Sequence, residues 1–376
     1  MLTRVYVDNF RCFVNFDFRP GPRQLLLGPN GSGKSTLFEV LARLRDFTAR
    51  GLPGDGLFMG DTLTRWQRVD EQRFVLEADG YGGTFQYELV LKTAGRSDRP
   101  YVTKESLYHD KQPVFLSEKG RALLFDDTHH ETAGFPPDIF RSGLAAITPP
   151  DAGFERFAWF KRWLGSVQCV RIDPFRMDGR ADKEAIFAEA DFGNFASWYR
   201  HLVLEQSAAV GDLRDTLRET IDGFDSLDLK EAGRGVRLLT VILRSSDHDV
   251  PVQSKGRFDL GFEELSDGQR ALIGLYTVLH CFAQRGALLC IDEPDNFISL
   301  AEIQPWLQRL EDRADDEEAQ LLLISHHPEL LNQLAADHGI VFSRPGGRHV
   351  TVTPYKGAPG SELPPAEQIA RGWADG

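Results

Sequence analysis

Gly28, Gly31, Gly33, Lys34 and Ser35 fall within one nine-residue run, Gly28-Pro-Asn-Gly-Ser-Gly-Lys-Ser-Thr36. Those types at that spacing, Gly-x-x-x-x-Gly-Lys-Ser, suit the holding of a polyphosphate. Glycines let the main chain take positive φ and gather several N–H groups around one anion. A helix starting at Lys34 adds the positive end of its dipole at the same place. Lys34 can then reach the β- and γ-phosphates, and the Ser35 hydroxyl can ligate Mg2+. The flanks fit: Leu25 to Leu27 read as a buried strand, and Leu37, Val40, Leu41 and Leu44 recur at helical spacing. Pro29, Asn30, Ser32 and Thr36 complete the loop, so the expected ligand is a nucleoside triphosphate.

Three further clusters have residue types that complete such a site. Asp292-Glu293 follows the apolar run 287–291 directly. An acid at the C-terminal end of a buried strand can hold Mg2+, and a second beside it can orient or deprotonate an attacking water. Ser266-Asp267-Gly268-Gln269 opens an amphipathic helix carrying Leu272, Leu275, Val278 and Leu279. Ser266 or Asp267 there is an ordinary N-cap, and a helix N-terminus with a serine and a glycine is also an anion site. Finally, Ser325-His326-His327-Pro328 follows the apolar run 321–324.

Leu265-Ser-Asp-Gly-Gln269 resembles the Leu-Ser-Gly-Gly-Gln signature of ABC-type ATPases, in the acidic form of the RecF and chromosome-maintenance (SMC) branch. Ile324-Ser325-His326-His327-Pro328 resembles the Thr-Thr-His-Ser-Pro form of those relatives, which places His326 in the switch role against the γ-phosphate. Asn9-Phe10-Arg11-Cys12-Phe13 resembles the Asn-Phe-Arg-x-Phe start of RecF-like and overcoming-lysogenization-defect (OLD) ATPases; by that resemblance Arg11 approaches the α-phosphate or a partner. Asp292-Glu293-Pro294-Asp295-Asn296 resembles the family's Asp-Glu-Pro-Glu-Asn, whose following loop crosses a dimer interface, although Ser299-Leu300 stand where His-Pro often follows. The order of loop, signature, acids and histidine is also that of the superfamily.

The resemblance implies hydrolysis of ATP to ADP and phosphate with Mg2+, with Glu293, His326 and Lys34 catalytic. It implies a homodimer bridged by ATP, in which Ser266 and Gly268 of one copy meet the γ-phosphate held by the other. Single-lobe relatives act on DNA in repair or phage defence, often with a nuclease-like effector as partner. The residues after His326 are too few for a nuclease domain, so the effector is expected to be another chain. The competing readings are an ATP-gated scaffold with little turnover and the ATP-binding subunit of a transporter. Retention of Glu293 favours hydrolysis over the first; the long insertion before the signature and Asp267 within it argue against the second.

Strands alternating with helices predict an α/β P-loop NTPase core, an ABC-ATPase head whose mostly parallel sheet is joined to an antiparallel β-lobe, with an inserted mixed helical and β lobe. The expected divisions are 1–72 (core with the phosphate loop), 73–257 (inserted lobe) and 258–376 (core with signature, acids and histidine). Strands are expected at 2–7, 13–18, 24–27, 167–172 and 236–243, with hairpins at 73–78/84–92 and 101–108/113–117. Residues 126–150 read as loop, 154–164 and 302–313 as helices, 191–222 as helical, 244–257 as a polar connection and 315–318 as an acidic turn. No glutamine stands out as an Mg2+ sensor among Gln67, Gln72, Gln86 and Gln168.

The 376 residues suffice for a sizeable core, and a net charge of −13 argues against a surface coated for nucleic acid while leaving room for a local basic patch. No apolar run nears the ~18 residues that span a bilayer, and the start shows no signal peptide; a cytoplasmic protein without a membrane partner is expected. Cys12, Cys169, Cys281 and Cys290 are scattered and expected as buried thiols. Asp126 to Glu131 read as a solvated turn rather than a metal site, and the arginines at 43–50 and 65–73 beside Trp66 as an ordinary surface.

Overall fold

The computed structural model describes residues 1–93, 99–148, 152–244, 256–283, 286–315, 319–358 and 360–372. Alternating apolar residues form β1 (Leu2–Asp8), paired antiparallel with the short β2 (Phe16–Phe18). The strand expected from residue 13 is cut short because Asn15 takes a left-handed φ of 48° and turns the chain. The apolar run becomes β3 (Arg23–Leu27), and the leucines behind it bury one face of α1 (Lys34–Thr48).

Both expected hairpins form. β4 (Glu71–Gly80) meets β5 (Gly83–Lys92) across left-handed Tyr81 and Gly82, a two-residue loop whose twist suits the strands. β6 (Tyr101–His109) meets β7 (Gln112–Glu118) across Asp110 and Lys111, also left-handed. β8 (Arg121–Phe125) and β9 (Glu131–Phe135) extend the ladder, correcting the reading of 126–150 as loop throughout. β9 is an exposed edge strand held by backbone pairing, so its side chains carry no hydrophobic pattern.

α2 (Glu155–Gly165) and β10 (Gln168–Val170) follow. Next come β11 (Arg180–Ala181), α3 (Phe195–Glu205), α4 (Ser207–Thr220), β12 (Phe224–Glu231), β13 (Arg237–Arg244) and β14 (Arg257–Gly261). The helical stretch read over 191–222 is thus two helices meeting at Gln206, and the strands flanking β13 escaped the sequence pattern. α5 (Asp267–Thr277) runs into a π-helical turn at Val278–Phe282, then β15 (Ala287–Asp292), α6 (Leu300–Asp315) and β16 (Ala319–Ile324). α7 (Pro328–His338), β17 (Gly339–Ser343), β18 (Thr351–Pro354) and α8 (Pro365–Ala370) end the chain walk. Of the polar connection expected at 244–257 and the acidic turn expected at 315–318, residues 245–255 and 316–318 lie outside the described residues, while Arg244, Arg257 and Asp315 belong to β13, β14 and α6.

Two compact units emerge: Met1–Cys169 with Gly286–Cys290 and Gln320–Gly376, and Val170–Arg285 with Ile291–Ala319. In the first, β2-β1-β4-β5-β6-β7-β8-β9 form one antiparallel sheet. A six-stranded sheet runs β10-β15-β16-β3-β17-β18, with β3 parallel to both its neighbours. This is the α/β P-loop core with its antiparallel β-lobe. Strands β15 and β16 are buried at every position, which explains their unbroken apolar sequence. Phe10, Phe13, Phe16, Phe74, Leu37, Leu41, Leu322 and Phe342 join one continuous core.

The second unit has its own core, where Phe195 stacks on Phe262 at 5.4 Å and Trp198 on Phe282 at 4.8 Å. There β13 is flanked by β12 on one side and by β11 and β14 on the other. Trp306 of α6 is fully buried and donates its indole N–H to the carbonyl of Leu275 in α5 at 3.0 Å.

Leu322 has no exposed surface and lies on β16. Leu322→Ala is expected to lower unfolding free energy by about 2–5 kcal/mol, read from the urea midpoint at unchanged slope.

Candidate nucleotide site

The phosphate loop is shaped by glycine. Gly28, Gly31 and Gly33 have φ of 130°, 76° and 106°, a region that L side chains rarely enter. Space forbids side chains as well: a Cβ on Gly28 would lie 2.2 Å from the Phe342 carbonyl oxygen, and one on Gly33 would lie 2.8 Å from Val350 Cγ2. Lys34 is buried and its ammonium donates to the carbonyls of Gly28 at 2.6 Å and Pro29 at 3.2 Å. The Ser32 hydroxyl is buried and has no hydrogen-bond partner among the described residues, whereas Ser35 is exposed at the start of α1. Pro29 and Asn30 are exposed in the loop, and Thr36 stands in the first turn of α1, 3.7 Å from Cys12 Sγ through its hydroxyl.

Because β16 and β3 are parallel, with Ile324 opposite Leu26, their C-terminal ends open on the same sheet edge. That edge is where α/β sheets bind ligands. His326 is exposed there. Its neighbour His327 is engaged as the N-cap of α7, with Nδ1 accepting from Glu329 N at 3.3 Å. Arg11, at a left-handed φ of 48°, reaches Glu39 on α1 at 2.7 Å, and Glu39 also accepts from Arg43 at 2.8 Å. Trp66, which sequence reasoning assigned to plain surface, carries the Arg344 guanidinium 5.0 Å above its ring. Arg344 donates in turn to the Gly31 carbonyl at 2.8 Å, so the basic aromatic patch adjoins the loop. Gln67 and Gln72 are engaged elsewhere, with Asp8 and with Asn9 and Thr62. Asp126 accepts from Thr128 and His130 within its own turn.

The second unit carries the other residues. Asp292 is buried at the end of β15. Glu293 takes a φ of +52°, and its Oε2 accepts from Arg171 Nη2 at 2.8 Å and Asn296 Nδ2 at 3.0 Å. Arg171 went unremarked in the sequence; only its place at the end of an expected strand, just before Asp173-Pro174, hinted at a turn near a strand end. Ser266 caps α5 through a capping box: its Oγ accepts from Gln269 N at 3.3 Å, and its N–H donates to Gln269 Oε1 at 3.1 Å. Asp267 pairs with Arg270 at 2.5 Å. A Cβ on Gly268 would lie 3.0 Å from the Phe297 carbonyl oxygen, so the loop after the acids runs hard against the helix start. Within this unit Ser266, Gly268 and the 293–297 loop are therefore brought together.

The glycine cradle at the end of a parallel strand, followed by its helix, defines a P-loop ATPase domain of the AAA/ABC type. The family model described as "AAA domain, putative AbiEii toxin, Type IV TA system" matches residues 25–332, and the chain belongs to that family. A second model, described as an AAA domain, matches residues 4–44. The chain is similar to the OLD nuclease of Thermus scotoductus, 23% identical over 349 residues that cover 87% of this chain and 59% of that protein. It is also similar to the mRNA export factor elf1 of Schizosaccharomyces pombe, 22% identical over 317 residues covering 84% of this chain and 24% of that protein. It thus spans less than two thirds of the length of either relative. An SMC head solved with the C-winged helix domain of ScpA shares the fold, at a TM-score of 0.55 and 11% identity over 94% of this chain and 98% of that one. Among the described residues no helix is long and apolar enough to cross a membrane.

Gly28→Ala is expected to abolish ATP binding in calorimetric titration and to lower the thermal midpoint, since the clash is with backbone. Gly31→Ala, where nothing lies within 4 Å of the added carbon, is expected to lose far less on both counts.

Proposed function

We propose that this chain hydrolyses ATP at sites shared by two copies that close head to tail around two nucleotides. In this reading Lys34 and the main chain of residues 28–36 hold the β- and γ-phosphates, and Arg11 reaches toward the α-phosphate. Glu293 takes the proton from the attacking water and His326 meets the γ-phosphate. Ser266 and Gly268 of the second copy complete the surroundings of that phosphate. Ser35 and Asp292 are the assigned Mg2+ ligands; a hydroxyl and a carboxylate are the hard oxygen donors that ion takes. When bound, Mg2+ supplies positive charge against the phosphate oxygens.

The observation that carries the reading is the cradle itself: three left-handed glycines around a buried lysine whose ammonium rests on main-chain carbonyls. A site with one copy of each half in each chain leads to a twofold dimer, since each chain must lend its signature to the other. Loss of the bridging γ-phosphate then loosens the pair, which makes ATP a clamp. Similarity to a protein named OLD nuclease supports a DNA-linked setting, in repair or phage defence, with a nuclease-like effector.

Glu293→Gln is expected to keep ATP binding while lowering phosphate release by at least about 100-fold. Its solution mass is expected to rise from one chain to two on adding ATP and Mg2+. A single chain with ATP bound would sink the two-copy site.

A further inference from the structure

Resting on Glu293 as the general base, we propose that Arg171 is its positioning residue, gripping one carboxylate oxygen so that the other is presented to water. A base is effective only when its accepting oxygen is held within hydrogen-bond reach of the proton it takes. The terminal torsion of a glutamate is soft and nearly twofold, so an unanchored carboxylate presents either oxygen over a wide arc. Here both donors fall on the same atom: Arg171 Nη2 at 2.8 Å and Asn296 Nδ2 at 3.0 Å meet Oε2. Oε1 has no hydrogen bond among the described residues.

The backbone adds a second restraint. Glu293 holds a left-handed φ of +52°, a conformation that persists in a non-glycine residue only where its surroundings over-determine it. The loop closes on itself through Asn296 N donating to the Glu293 carbonyl at 3.3 Å. Arg171 comes from far away in sequence, and its own backbone is fixed by its N–H donating to the carbonyl of Ala190 at 2.7 Å. The nearby Arg176 is itself paired with Asp191 at 2.6 Å. Arg171, Asn296 and Phe297 line a cleft of about 650 Å³ with Arg176 and Asp191, so the guanidinium is not walled in by packing. Its side chain is 63% exposed. With Glu293 24% exposed the pair is open to solvent mainly on the arginine side, where screening keeps its contribution to stability modest.

The test is steady-state ATP turnover by the whole chain, with thermal midpoints, for wild type, Glu293→Gln, Arg171→Ala and Arg171→Lys. Arg171→Ala is expected to fold normally and lose about 10- to 100-fold in kcat with KM unchanged, as a misplaced group does. Arg171→Lys, which keeps the charge but not the planar fork, is expected to recover part of the loss. In the Glu293→Gln background Arg171→Ala is expected to add nothing further, because the two act as one unit. If Arg171→Ala and Arg171→Lys turn over as fast as wild type or faster while Glu293→Gln is inactive, the positioning role is wrong and the base survives. If Glu293→Gln matches wild type, the base assignment fails and the positioning role with it. Should Arg171→Ala not fold, Arg171→Lys decides: full wild-type kcat counts against the proposal, and reduced kcat at unchanged KM supports it.

Discussion

A Cβ on Gly28 would lie 2.2 Å from the carbonyl oxygen of Phe342, and much of the first unit follows from that crowding. Phe342 belongs to β17, which runs parallel to β3 and brings its main chain up against the point where β3 breaks into the loop. The bare backbone at Gly28 and Gly33 lets β17 and the segment at Val350 close in, and that closeness holds the loop's N–H groups in place. Lys34 is buried, and its ammonium donates to the carbonyls of Gly28 and Pro29 in the loop. A buried ammonium needs such acceptors, because burial without them is costly. The carbonyls of Gly28 and Pro29 hold the Lys34 ammonium at the loop itself, where a phosphate would have to be met.

The sequence made this part legible because each constraint there is local. A Cβ-free turn, an unbroken apolar strand such as Ala287–Asp292 and a leucine stripe on α1 are each set by residues next to one another. The hairpin turns at Tyr81-Gly82 and Asp110-Lys111 were likewise announced by their own residue types. β9, β12 and β14 were not. They are edge or half-exposed strands whose existence depends on a neighbour's backbone, with burial patterns that show no clean alternation. The division at Gln206 was hidden for a different reason: Leu202 and Leu213 keep a helical period on either side of it, so periodicity alone reads one long element.

Within the site the same distinction holds. Residue types at Lys34, Ser35, Asp292 and Glu293 are tied to strand ends and can be found by inspection. Trp66 and Arg344 meet only because the chain returns to Gly31 through Arg344, some 300 residues later in sequence. Arg171 meets Glu293 across 122 residues. Nothing near either partner hints at the other, and charge counts could not help in a chain whose arginines are mostly paired with acids. Long-range ion pairs are set by topology, which is why they are the residues a motif search misses.

Ser266 shows how a stability device and a functional one can occupy the same atoms. Its hydroxyl satisfies an N–H in the first turn of α5 and its backbone is satisfied by Gln269, as any capping box requires. Had position 268 carried a Cβ, it would lie 3.0 Å from the Phe297 carbonyl oxygen, and the 293–297 loop would have to give by a few tenths of an ångström. The glycine therefore lets the loop bearing Glu293 and Asn296 come close at Phe297, and on the proposed reading it also leaves the helix N-terminus open to an anion. On the proposed reading, one small residue thus couples the surface lent to the partner's nucleotide to the geometry of the chain's own base.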